Sequence, residues 1–211
     1  MLPVPSKERW EEECVLRWLK YTPTALGEQR SFRSAALHHM HSRNGVASDS
    51  AKFYSFDMSL DTVRQFFSRY APDIEVIVTE ESSATVALAA AAHGVEPVQI
   101  AKTIGVQAGP TAVLVVMAGT ARLDNRKFRD HFGAKPRMLG GEDVTQLTGH
   151  PVGGVCPFGL ISDVPVFCDA SLRVVPEVIP AAGAANSAVR ISPERMAELS
   201  NAKWIDVCQT A

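Results

Sequence analysis

The segment from Gly149 to Gly159 constrains the fold of this chain more than any other part of the sequence. It concentrates glycines and prolines between two apolar segments. Glycine reaches positive φ and lets another backbone come close, whereas proline fixes φ and removes a hydrogen-bond donor. The composition therefore predicts a loop, for which two roles are open. Either it directs backbone N–H groups at an anion or a carbonyl oxygen, or it is a tight turn between a helix and a strand.

Three other segments accompany this loop in a fixed order along the chain. Pro97–Ile104 precedes it, and Val166–Asp169 and Ile191–Met196 follow it. Together the four segments resemble the YbaK/EbsC-type aminoacyl-tRNA deacylases, a group that includes the editing domain inserted in many bacterial prolyl-tRNA synthetases. The resemblance covers about Ser59 to Cys208.

Helical and strand patterns alternate irregularly along the chain, which predicts an α+β fold with a mixed sheet. The resemblance adds that this sheet is curved, partly closed and flanked by helices. The predicted helices are one with Ser59 as N-cap, Ser83–His93 closed by Gly94, a turn opened by Pro97 that carries Ile100 and Lys102, one capped by Asp124 and ending near Gly133, Glu142–Leu147 ending at Gly149, and one with Ser192 as N-cap. The predicted strands are Ile74–Thr79, Thr111–Met117, Pro165–Asp169, Leu172–Ile179, Ala188–Ile191 and Lys203–Cys208.

The first 57 residues differ in character from the rest. Residues 22–52 mix Pro, Gly, Ser, Arg and His without a period, and a helical pattern begins abruptly after Met58. We expect residues 1–57 to be an appendage, either poorly ordered or the product of a misassigned start codon. Residues 58–211 are expected to form the domain with the family resemblance.

The composition excludes several classes of protein. With 46% hydrophobic and 21% charged residues the chain is ordinary for a globular domain, and its apolar runs fall well short of the ~20 residues that span a bilayer. Without a signal peptide pattern, the expected location is the cytoplasm. The four cysteines are widely separated, so neither a zinc site nor a redox dithiol is indicated. No metal and no organic cofactor is expected.

The resemblance assigns the central chemistry to a lysine and two glycines. Lys102 matches the characteristic lysine of the family, and a flexible ammonium suits a phosphate or the acceptor end of a tRNA. The residues Gly153 and Gly154 are expected to present backbone N–H groups to the ester carbonyl. The resemblance implies that a terminal ribose hydroxyl of the substrate orients the water, so no strong general base is required.

Seven further residues are expected around the aminoacyl group. The resemblance places Pro157, Phe158 and Gly159 in the wall, Thr85 in the pocket, and Asn186 and Ser187 where other members are more polar and acidic. Asp169 has two interpretations, one as a group that orients Lys102 or a ribose hydroxyl and one as the start of a turn before Ser171. The departure from the family pattern at Asn186 and Ser187 leaves the identity of the removed amino acid open.

A basic interval provides candidate contacts with the tRNA backbone, although the net charge of the chain is −2. The candidates are Arg122, Arg126, Lys127 and Arg129. Such an interval is typical of a solvated helix face as well as of a phosphate-binding surface.

Three functions are therefore open. The leading one is a free-standing enzyme that hydrolyses mischarged aminoacyl-tRNA, with tRNA as partner and transient contact with a synthetase. The second is a module that binds the acceptor end or a nucleotide without turnover and regulates a synthetase. The third is a hydrolase with Cys156 as nucleophile.

Overall fold

The computed structural model describes the backbone of residues 50–209 and the side chains of residues 59–209. Most of the predicted appendage, including Cys14 and the cluster of three histidines at positions 38–41, lies outside the described residues. In the described part, no helix is long and apolar enough to cross a membrane.

Five α-helices and ten short strands make up residues 50–209. The helices are α1 (Ser50–Tyr70), α2 (Val86–His93), α3 (Asn125–Phe132), α4 (Gly141–Thr148) and α5 (Pro193–Leu199). The strands are β1 (Ile77–Val78), β2 (Ile100–Ala108), β3 (Thr111–Ala118), β4 (Arg122–Leu123), β5 (Pro136–Met138), β6 (Val166–Asp169), β7 (Ile179–Pro180), β8 (Ser187–Ala188), β9 (Lys203–Ile205) and β10 (Cys208–Gln209). Two 3₁₀ turns, Pro97–Gln99 and Ala170–Val174, complete the order.

The main sheet is mixed and has the strand order β5-β2-β3-β6-β9, with β7 added beside β2. The strands β2 and β3 form an antiparallel hairpin around Gly109, whose φ of 63° only glycine adopts readily. The strands β6 and β9 follow in parallel on the far side of β3. The predicted α+β fold with a mixed sheet is thus confirmed.

A hydrophobic core packs α1 and α5 against one face of this sheet. Val63 and Phe67 of α1 are almost fully buried, and the ring centroids of Phe67 and Phe158 lie 4.7 Å apart. Leu114 and Met196 belong to the same cluster. Because Phe158 comes from the glycine-rich loop, the core itself anchors one end of that loop.

Several helix ends agree with the sequence predictions. Gly94, Gly133 and Gly149 close α2, α3 and α4 with left-handed φ angles, and the N-caps Asp124 and Ser192 accept backbone N–H bonds. These signals are local, since a cap needs only its own turn.

Three predictions of secondary structure were wrong. Ser59 is not an N-cap but lies inside α1, where its buried hydroxyl donates to the Gly183 carbonyl at 2.7 Å. Lys102 lies in β2 rather than in a helical turn, because the turn opened by Pro97 ends at Gln99. Of the strand predicted at Leu172–Ile179, only Ile179 lies in a strand, β7, because the chain turns into a 3₁₀ helix directly after β6.

Candidate functional site

A gap in the pairing of β2 creates the cavity of interest. The strand β7 pairs only with Ile100 and Ala101, and β5 pairs only with residues 106–108. Between them, residues 102–105 have no strand partner on this edge within the described part of the chain. A cavity of about 310 Å³ opens there, near the lower end of the range for small-molecule sites. It is suited to a group of amino-acid size.

The cavity wall is mainly apolar. Its lining includes small and branched side chains from α2, β2, α4, the glycine-rich loop and the segment after β7: Ala84, Ala89, Ile104, Leu139, Val144, Val152, Val155, Ala181 and Ala188. Among the lining residues Lys102 is the one charged side chain, and none is acidic.

Lys102 reaches the cavity with its ammonium already held in place. Its Nζ donates to the carbonyl of Gly119 at 2.9 Å and to that of Ala121. Burial lowers the pKa of Lys102 from its ordinary value, and the charge of nearby Arg122 lowers it further. A lysine ammonium has three N–H donors, so these two bonds fix its position and leave one donor for a ligand.

Of the two loop glycines, only Gly153 lines the cavity. Its φ of 91° demands glycine, and a Cβ there would lie 2.8 Å from the Cβ of Ala84. The prediction for Gly154 needs correction, because its N–H already donates to the Pro151 carbonyl at 2.9 Å. Gly154 instead permits close backbone packing, since a Cβ would meet the Ala184 nitrogen at 2.7 Å.

Thr85 and Ser187 also line the cavity, whereas Asn186 does not. Thr85 caps α2 by accepting the Leu88 N–H. Ser187 is fully buried, and its hydroxyl donates to the Ala184 carbonyl. Asn186 joins its loop to the segment before α2, because its side chain donates to the Thr79 carbonyl at 2.9 Å.

The structure does not bring Pro157, Phe158 or Gly159 to the cavity wall. Phe158 is fully buried in the core against α1, and Gly159 approaches the backbone of Thr62 so closely that a Cβ would lie 3.1 Å from it. These residues were expected beside the aminoacyl group. Their packing shows that the C-terminal half of the loop attaches it to α1.

Asp169 acts as a structural cap and does not line the cavity. Its side chain is 1% exposed and accepts the N–H groups of Ser171 at 2.9 Å and Val207 at 2.8 Å. Of the two interpretations of this residue, the turn before Ser171 is the one that the structure shows.

The four basic candidates lie on β4 and α3, outside the cavity lining. Lys127 pairs with Asp206 at 2.7 Å and donates to the Cys208 carbonyl, so its charge is largely compensated. Arg126 lies 3.8 Å from Asp130 and is highly exposed. Arg122 is the candidate whose positive charge adds to the effect of burial in lowering the pKa of Lys102.

Cys156 has a histidine neighbour that the sequence did not reveal. Its Sγ lies 3.6 Å from Nδ1 of His150, which also accepts the Cys156 N–H at 3.3 Å. Both side chains are fully buried. Burial raises the pKa of the Cys156 thiol to about 12 and lowers the pKa of His150 to about 4. A neutral thiol without access to the cavity is not an active nucleophile.

The sequence also missed Thr103, which lines the cavity with a buried hydroxyl that lacks a hydrogen-bond partner among the described residues. Its only signal was its place beside Lys102. The described residues contain no group of three or more His, Cys, Asp or Glu side chains arranged to hold a metal ion.

Comparison with known proteins identifies the family. The aminoacyl-tRNA editing domain matches residues 80–199. The "Uncharacterized protein YwhH" of Bacillus subtilis is 45% identical over 154 residues, which cover 72% of this chain and 98% of that protein. The "Putative Cys-tRNA(Pro)/Cys-tRNA(Cys) deacylase EbsC" of Enterococcus faecalis is 28% identical over 118 residues, or 54% of this chain and 71% of that protein.

A solved structure agrees with these sequence matches. It is described as a "putative trans-editing enzyme for prolyl tRNA synthetase", is 30% identical, and superimposes with a TM-score of 0.67 over 72% of this chain and 98% of the other. The resemblance carried by the four sequence segments is therefore confirmed, and the chain belongs to the aminoacyl-tRNA editing domain family.

Proposed function

We propose that this protein is a free-standing enzyme that hydrolyses the ester bond of mischarged aminoacyl-tRNA. The observation that carries the proposal is the convergence of the Lys102 ammonium and the Gly153 backbone on one cavity of amino-acid size. The free-standing form is supported by the Bacillus relative, which is matched over 98% of its length. The EbsC relative's name and the solved structure's description support the reaction class.

In the proposed complex the aminoacyl group occupies the cavity and the ribose lies at its mouth. The Gly153 N–H donates to the ester carbonyl, and the remaining N–H of Lys102 binds an oxygen of the acceptor end. Water adds to the carbonyl carbon, the bond from that carbon to the ribose oxygen breaks, and the ribose oxygen takes up a proton. Pre-positioned donors stabilise the charge that develops on the carbonyl oxygen.

The cavity supplies positioning rather than a strong base. None of its lining residues is acidic or a histidine. This agrees with the implication of the resemblance that a ribose hydroxyl of the substrate orients the water. An ester is activated relative to an amide, so orientation and a fixed oxyanion donor can provide most of the acceleration.

The test measures amino acid release from a panel of mischarged tRNAs, from glycyl through valyl and prolyl. We expect multiple turnover with at least one member, and a loss of about 10–100-fold in kcat/KM in Lys102→Met, which keeps the aliphatic stem and removes the charge. Lys135→Ala is the matched control, because it removes a positive charge from a residue that does not line the cavity. Failure of the wild type to release any amino acid would refute the proposal.

The second candidate is a binding module for the acceptor end. It is favoured by the absence of an acidic or histidine side chain that could act as a general base among the lining residues, and by the engagement of two Lys102 donors with carbonyls. Binding of tRNA with an unchanged ester lifetime would support this candidate, and multiple turnover would exclude it.

A further inference from the structure

Thr103 lines the cavity and carries a hydrogen-bonding group that the fold leaves unpaired. The Thr103 hydroxyl is buried and has no partner among the described residues. Buried polar groups are almost always paired in folded proteins, so an unpaired hydroxyl in a cavity wall indicates a place for a ligand atom.

The backbone of Thr103 points to the same place. On the open edge of β2 the Gly105 carbonyl accepts the Leu139 N–H at 3.0 Å. The backbone groups of alternate residues in an antiparallel strand face the same edge. The N–H and carbonyl of Thr103 therefore face the gap between β5 and β7, where neither strand pairs with them.

The charges around the cavity restrict what these groups can bind. No acidic side chain lines it, and the one charged lining residue is the cation Lys102. An amino group that enters can therefore be met only by neutral oxygen acceptors. Thr103 offers two of them, its carbonyl and its Oγ1.

We propose that Thr103 binds the α-amino group of the aminoacyl ester, which docks against the open edge of β2. This inference rests on the proposed function and specifies its substrate class as esters of small, uncharged amino acids with a free amino group. Thr103 distinguishes an aminoacyl ester from an acyl ester that lacks nitrogen. The neighbouring apolar side chains limit the size of the amino acid.

The test combines two variants with two esters of the same tRNA. One ester carries alanine and the other carries propionic acid, which is alanine without its amino group. Thr103→Val keeps the branched shape and removes the hydroxyl, and Thr103→Ser keeps the hydroxyl as the matched control. Thermal unfolding of both variants confirms that the fold is intact.

We expect Thr103→Val to lower kcat/KM for the alanyl ester about tenfold, because one hydrogen bond to the amino group is lost. The propionyl ester should react equally with wild type and variant, and Thr103→Ser should stay within about threefold of wild type on both. An equal loss on the two esters, or no loss on either, would overturn the inference.

A binding measurement separates this inference from the proposed function. The probes are 3′-amino-3′-deoxyadenosine acylated on its 3′ nitrogen with alanine or with propionic acid, amides that cannot be hydrolysed as esters. Tighter binding of the alanyl amide that disappears in Thr103→Val supports the inference even if no ester is turned over. Ester hydrolysis by the wild type without any dependence on Thr103 would leave the proposed function standing and overturn the inference.

Discussion

The replacement Gly154→Ala tests whether the glycine-rich loop is held by contact between two backbones. The new Cβ would lie 2.7 Å from the Ala184 nitrogen, 2.8 Å from the Ala184 Cα and 2.8 Å from the Gly183 carbonyl carbon. All three are backbone atoms, which cannot swing aside as a flexible side chain can. One of the two segments must therefore move.

The expected cost has two parts. Overpacking of a well-packed site costs about 1–3 kcal/mol. The movement also weakens the hydrogen bond from the Gly183 N–H to the Gly154 carbonyl at 3.0 Å, and loss of this bond costs about 1 kcal/mol. Gly154 is not among the glycines with positive φ, so no conformational strain is added. The free energy of unfolding should fall by about 2–4 kcal/mol.

The assay is thermal unfolding together with ester hydrolysis. For a domain of this size 1 kcal/mol corresponds to about 2–4 °C, so Tm should fall by about 4–16 °C. The value of kcat/KM should fall as well, because Gly153 moves with its neighbour. Gly94→Ala is the matched control: a Cβ there has nothing within 4 Å, but its φ of 63° is left-handed. That variant should lose about 1–2 kcal/mol and keep its activity.

A Gly154→Ala variant with the Tm and activity of the wild type would refute the reasoning. A larger loss of stability in Gly94→Ala than in Gly154→Ala would also refute it. The left-handed φ at Gly94 would then cost more than the backbone contact at Gly154.

Three further predictions concern buried polar groups. Cys156→Ala should keep kcat within about threefold, since the thiol is buried and neutral, and a loss of several orders of magnitude would establish it as the nucleophile. Asp169→Ala leaves two buried N–H groups unpaired and should lower the free energy of unfolding by about 2–6 kcal/mol. An unchanged Tm with a loss of activity would instead indicate that Asp169 acts on the substrate. For His150, folded protein resists protonation until about pH 4 while the unfolded chain binds the proton from about pH 6.5. The contribution of neutral His150 to the free energy of unfolding is therefore complete above pH 6.5 and declines by up to about 3 kcal/mol toward pH 4. Urea unfolding at several pH values should show a smaller decline in His150→Gln.

The parts of the fold that the sequence predicted are those with local causes. The capping signals at Gly94, Gly133 and Gly149 each act within one helical turn. These features need no knowledge of distant partners. The prediction of β3 succeeded for the same reason, since six of its residues form a continuous buried run.

The features that failed depend on partners far away in the chain. The hydroxyl of Ser59 is a good N-cap by composition, yet it bonds to Gly183, 124 residues away. The strands β1, β7 and β8 contain two residues each, so the strands predicted at Ile74–Thr79, Leu172–Ile179 and Ala188–Ile191 were too long. The error at Lys102 was local instead, because the turn opened by Pro97 ends at Gln99 and was extended too far.

At the site, the sequence predicted which residues are present but not which of their atoms are free to bind a ligand. The family pattern identified the segments that supply Lys102 and Gly153, because each segment carries its own residue types. It could not show that the Gly154 N–H is used by Pro151, or that residues 102–105 are left without a strand partner between β5 and β7. Whether a donor is available depends on which groups are already paired, and pairing is a property of the folded chain. The unpaired groups of Thr103 could therefore be found only from the structure, and they define the part of the cavity where substrate selection is most directly tested.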